Sequence, residues 1–147
     1  LIAAADLAAA PAGATFGFSE VRIGVAPAMI LVPALRVADR RFLTRGVLTG
    51  EPFTAAEAPA AGLLTAVLDD AAALDDWVAA QLESVRKSAP GAVGATKSLL
   101  RSLPGRDWSD ALESAAAVSA TLFAGAEATE GMDAFLEKRK PSWDTTP

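Results

Sequence analysis

Apolar positions change rhythm about halfway along the chain. Through residues 1–70 they come in short runs split by turn formers; from there on they recur at helical spacing. Residues 1–10 are apolar around a single Asp6 and read as the end of a helix passing into a buried strand. Residues 11–13 are a turn, and Thr15-Phe16-Gly17-Phe18 reads as a short strand. Residues 20–24 form a loop closed by a glycine. Residues 27–37 read as an apolar helix with Pro27 in its first turn and a kink or break at Pro33. A second helix is predicted over 38–48, then a turn over 49–52. Thr54, with Glu57 three residues later, makes a capping box for a short helix ending at Gly62. Residues 63–68 read as a buried strand. Beyond them the pattern predicts amphipathic helices over 75–88, 90–103, from Asp107 or Ser109 to Phe123, and over 129–138, where Pro141 stops continuation.

Composition narrows the classes open to such a chain. At 147 residues and 52% hydrophobic it has enough apolar material for a core. Alanine dominates and aromatics are only 6%, which predicts closely packed helices rather than a bulky aromatic core. A net charge of -5 disfavours a general nucleic-acid binder. An anionic small ligand needs only a local cationic cluster, and Lys138, Arg139 and Lys140 supply one. There is no cysteine and no histidine. That excludes disulfides, Ser-His-Asp triads and the usual metal sites, so no metal is expected. Acid-base chemistry must then come from carboxylates, lysines or backbone-held water. No apolar run is long enough to span a bilayer, and the opening segment lacks a signal peptide's basic region, so a cytoplasmic protein is expected. The chain opens on Leu1 inside an apolar segment, which reads as one piece of a longer or cleaved protein.

Four stretches carry a more specific pattern. The first is Asp6, then Thr15-Phe16-Gly17-Phe18-Ser19-Glu20 and Val21-Arg22-Ile23-Gly24-Val25-Ala26-Pro27. The second runs Leu48-Thr49-Gly50-Glu51-Pro52-Phe53-Thr54-Ala55-Ala56-Glu57-Ala58 and on to Gly62-Leu63. The third is Ser88-Ala89-Pro90 followed by Lys97, and the fourth is Glu130-Gly131-Met132-Asp133-Ala134-Phe135-Leu136-Glu137-Lys138-Arg139-Lys140-Pro141. In order and spacing, the four together resemble the C-terminal portion of the enoyl-CoA hydratase/isomerase (crotonase) family.

The resemblance implies an α/β fold: the C-terminal part of a spiral of ββα turns over residues 1–70, then trimerisation helices over 71–147. It implies an acyl-CoA thioester as substrate, no cofactor beyond the CoA the substrate carries, and a homotrimer or dimer of trimers. Taken alone, Glu20 reads as a solvated loop glutamate, although its apolar flanks are of the kind that desolvate a carboxyl. By resemblance it is the catalytic acid/base that moves a proton at Cα. Hydration also needs a second, water-handling glutamate and two oxyanion-binding N–H groups. The resemblance puts those before Leu1, so the 147 residues alone are expected to be inactive. The reading is an enoyl-CoA hydratase. The alternatives are an enoyl-CoA isomerase, which needs only the Glu20-type carboxylate, or an inactive CoA-binding homologue.

Phe135 and Lys138 read by themselves as a packing residue and a solvated charge. By resemblance they meet the adenine and 3′-phosphate of CoA, with Arg139 and Lys140 adding positive potential. Lys97 reads as a surface lysine and Asp6 as structural. Two positions depart from the family pattern. Ser19 replaces a proline before the glutamate. Pro27-Ala28-Met29-Ile30-Leu31 stands where well-studied hydratases carry a glycine-rich segment beside the catalytic water. Pro27, Ala28 and Met29 are therefore expected to line the pocket and to narrow or dry it.

Overall fold

The computed structural model describes residues 1–146. The chain divides into two compact units, Leu1–Val78 and Ala79–Pro147.

The first unit holds β1 (Ala9–Pro11), β2 (Thr15–Phe16), helices α1 (Ala28–Val37) and α2 (Arg40–Thr49), then β3 (Phe53–Thr54) and β4 (Ala66–Leu68). β1 and β4 run parallel, with Ala9 opposite Ala66 and Pro11 opposite Leu68. Parallel neighbours need a long crossover. Here it contains β2 and β3, themselves paired antiparallel with Phe16 opposite Phe53, and the two helices. The opening residues form a single 3₁₀ turn, Ile2–Ala4, rather than the end of an α-helix.

α2 begins where Asp39 accepts a hydrogen bond from the Phe42 N–H at 2.9 Å, an N-cap with its usual side-chain chemistry. It ends at Gly50, whose φ of 66° lies in the left-handed region. α1 does not break at Pro33; the helix runs through it to Val37. The Thr54–Glu57 pair forms only half of the expected capping box. The Glu57 carboxylate accepts from the Thr54 N–H at 2.8 Å and from its hydroxyl at 2.9 Å. The Thr54 N–H and then the hydroxyl hold the Glu57 carboxyl below its ordinary pKa. No regular helix follows. Residues 55–62 make separate turns, because Pro59 has no N–H to continue a helical ladder.

The core of this unit is more aromatic than the composition suggests. Phe53 stacks on Phe16 at 5.6 Å and on Phe18 at 6.0 Å, and meets Phe42 edge-on at 4.9 Å. Ala34, Leu43, Ala55 and Ala58 are fully buried around this hub. The alanines let backbone approach a cluster of large rings, so few aromatics suffice.

α3 (Ala71–Arg86) leads from the first unit into the second, which holds α4 (Pro90–Ser102), α5 (Trp108–Phe123) and α6 (Ala126–Leu136). The last helix starts three residues before the predicted 129, where Gly125 is the N-cap. α4 has no local side-chain cap. Glu127 of α6 takes that role, accepting from the Gly91 N–H at 3.0 Å and the Ala92 N–H at 3.2 Å. Among the described residues of this unit only Ala134 is fully buried, while Trp108, Phe123, Phe135 and Leu136 are largely exposed. No described helix is long and apolar enough to cross a membrane.

Candidate active site

Glu20 lies in a five-residue 3₁₀ turn, Ser19–Ile23. Gly24 closes the turn at φ 79°, and the Val25 N–H bonds back to the Glu20 carbonyl at 3.0 Å. The residue is half-buried. Its Oε2 is covered and meets no hydrogen-bond donor among the described residues. A covered carboxylate oxygen without a donor is destabilising, and such atoms call for a functional explanation.

α2 holds this turn at both flanks. On one side the Phe18 ring lies against Gly46, so close that a Cβ there would sit 3.2 Å from Phe18 Cδ2. On the other, Arg22 lies over Gly50 and donates from Nε to the Thr49 carbonyl at 3.2 Å. A Cβ at Gly50 would meet Arg22 Cγ at 2.9 Å. Gly46 and Gly50 are one helical turn apart and share a face of the helix. Inspection of the sequence alone did not single out Arg22. Its signals were its place in the first motif stretch and the Leu48-Thr49-Gly50 triplet of the second, neither of which implies a contact between them.

Next to the turn is an apolar cavity of about 340 Å³, lined by Leu1, Ile2, Phe16, Phe18, Ile30 and Leu64 among others. Its wall reaches Phe18 and does not include Glu20. Pro27 is buried at the head of α1, whereas Ala28 and Met29 are exposed, Met29 at 83%. From that segment Ile30 and Ala34 face the cavity, in place of the three residues expected. Asp6 is exposed in the bend before β1.

Phe135 and Lys138 belong to the second unit. Phe135 is exposed beside an open apolar groove that includes Phe123, Met132, Leu136 and Trp143. Lys138 follows α6 at φ 54°, the only non-glycine residue at positive φ among those described. The Arg139 N–H bonds back to the Ala134 carbonyl at 3.0 Å, which ends the helix in a left-handed cap. Arg139 itself is engaged. Its guanidinium makes a two-point contact with Glu130 at 2.7 and 2.9 Å and reaches Glu137 at 2.6 Å. Glu130 also accepts from the Ser142 N–H at 2.7 Å. The Arg139 contact, with help from Ser142, pulls the Glu130 carboxyl down to about 2, and Glu130 and Glu137 raise the pKa of Arg139 in turn. Lys140 donates to the Thr146 carbonyl at 2.6 Å. Of the three-cation cluster, Arg139 is thus compensated by two carboxylates. Lys97 is half-buried on α4.

Residues 1–146 match the family model described as enoyl-CoA hydratase/isomerase. A Thermus thermophilus protein carrying a provisional enoyl-CoA hydratase name is 35% identical over 141 residues, covering 96% of this chain and 55% of its own length. Methylmalonyl-CoA decarboxylase of Escherichia coli is 30% identical over 146 residues, covering 97% of this chain and 56% of its own. A crystal structure of an enoyl-CoA hydratase/isomerase from Marinobacter aquaeolei superposes at a TM-score of 0.92 with 34% identity, over 97% of this chain and 54% of that one. The α/β fold is therefore the crotonase fold, and the chain spans about half the length of the relatives it matches.

Proposed function

This chain belongs to the enoyl-CoA hydratase/isomerase family, and we propose that the whole protein adds water across the 2,3 double bond of an enoyl-CoA thioester, with Glu20 as the acid/base at Cα. One observation carries the assignment: the covered, donor-free Oε2 of Glu20, held in a turn beside an apolar cavity. An acid/base works best when its own protein leaves a lone pair free for the substrate's proton. The aromatic and aliphatic wall next to it suits an acyl chain. By resemblance the water-handling glutamate and the oxyanion donors lie outside these 147 residues, so the activity is assigned to the whole protein.

Phe135 and Lys138 are proposed to meet the adenine and 3′-phosphate of CoA. An exposed ring, and an ammonium side chain three residues further along, are the chemistry that suits an aromatic base and a phosphate. The exposed apolar side chains of the second unit support self-association of the whole protein, proposed as a trimer.

The test is the loss of enoyl-thioester absorbance with crotonyl-CoA, catalysed by the intact protein. Glu20→Gln is expected to lower kcat by about 100- to 10,000-fold, the usual range for removal of an acid/base. A rate within a few-fold of wild type would remove Glu20 from the chemistry. A second reading, isomerisation of a 3-enoyl thioester, needs one acid/base carboxylate rather than two, beside the same oxyanion donors. Turnover of a 3-enoyl-CoA with no hydration of crotonyl-CoA decides for it.

A further inference from the structure

We infer that Arg22 is a positioning residue for Glu20, and that the Gly46–Gly50 face of α2 is the platform on which the Glu20-bearing turn is fixed. The inference rests on the assignment of Glu20 as the acid/base.

The turn has little else to hold it. Ile23 and Val25 are exposed at 79% and 53%, and a Cβ built on Gly24 would meet open space. In a 3₁₀ turn, residues two apart point about 120° away from one another. Arg22 therefore grips α2 while Glu20 faces elsewhere, and no ion pair between them is formed among the described residues. The grip has two parts. Arg22 Nε donates to Thr49, one of the last carbonyls of α2, where a cation is favoured by the orphan acceptors and the helix dipole. Its aliphatic stem fills the space that Gly50 leaves by having no side chain. Phe18 does the same at Gly46, four residues earlier on the same face. The two contacts bracket Ser19-Glu20-Val21. Loss of either lets the carboxyl swing, and proton transfer tolerates displacement of its base poorly.

The experiment compares wild type, Arg22→Met, Arg22→Lys and Glu20→Gln in the intact protein. Kinetics with crotonyl-CoA are combined with hydrogen exchange of the peptide covering residues 18–25. Arg22→Met keeps the stem and removes the donor and the charge. It is expected to lower kcat about 10- to 100-fold with KM within about twofold, and to speed exchange in 18–25 while α4–α6 stay protected. Arg22→Lys restores a cation at the helix end and is expected to recover most of the loss. A purely structural arginine would instead lower the melting temperature and raise exchange throughout the unit, without separating kcat from KM. If Glu20→Gln is inactive while Arg22→Met matches wild type in kcat and in local exchange, the positioning role is overturned and the acid/base assignment stands. If Glu20→Gln is active, or wild type does not turn over, the catalytic reading falls. Exchange in 18–25 then decides alone: unchanged protection in Arg22→Met removes the platform as well.

Discussion

Glu130 shows how one carboxylate of a motif takes a structural task the motif does not announce. In the sequence it opens a stretch assigned to CoA recognition. In the fold it clamps the end of α6 to the following segment through Arg139 and the Ser142 N–H. These contacts lower its pKa from the ordinary 4.5 to about 2. A depressed folded-state pKa means the carboxylate stabilises the fold fully above about 4.5 and loses that contribution as pH falls toward about 2. Glu130→Gln should therefore lower the melting temperature at neutral pH and flatten its decline between pH 4.5 and 2. Parallel declines for the two proteins would show that the clamp contributes nothing. Glu20 itself was legible as a candidate from its flanks and its motif. That its Oε2 is covered and lacks a donor was not, because the burial of a single atom is set by packing and not by spacing along the chain.

Most elements of the chain were legible, and the exceptions have local causes. Helices over 40–49, 90–102 and 108–123 follow from caps and periodicity within one or two residues of where they were expected. Residues 55–62 were misread because the capping signal is real while Pro59 prevents the helix it would start. The close approach that follows was invisible. Gly62 stands at φ 79°, and a Cβ there would run into the Val37 carbonyl, so this loop rests directly on the end of α1. Gly62→Ala would introduce both left-handed strain and a backbone clash, about 1–3 kcal/mol or more of destabilisation. Chemical denaturation checks this, and an unchanged midpoint would mean that the contact is easily relieved. The capping of α4 by Glu127, from 36 residues away, was equally hidden.

Over the whole molecule, net charge works against the proposed ligand. A chain of net charge -5 repels a polyanion such as CoA, so binding depends on where its few cations remain available. Arg139 is neutralised by Glu130 and Glu137. Lys138, lifted out of the helix in the left-handed cap, forms no ion pair among the described residues. Lys138→Ala should accordingly weaken CoA binding, and the loss should be larger at low salt than at high salt. Calorimetric titration at two ionic strengths measures it, and equal affinities at both would exclude Lys138 from the site. Sequence alone determined the family, most of the element order and the candidate for the acid/base, because these depend on residue type and spacing along the chain. Tertiary structure decided which side chains are spoken for. Whether Arg139 meets a glutamate, whether Met29 or Ile30 faces the cavity, and whether Arg22 rests on the end of α2 depend on approaches of a few ångströms in the folded chain. Periodicity and motif spacing carry no information about such distances.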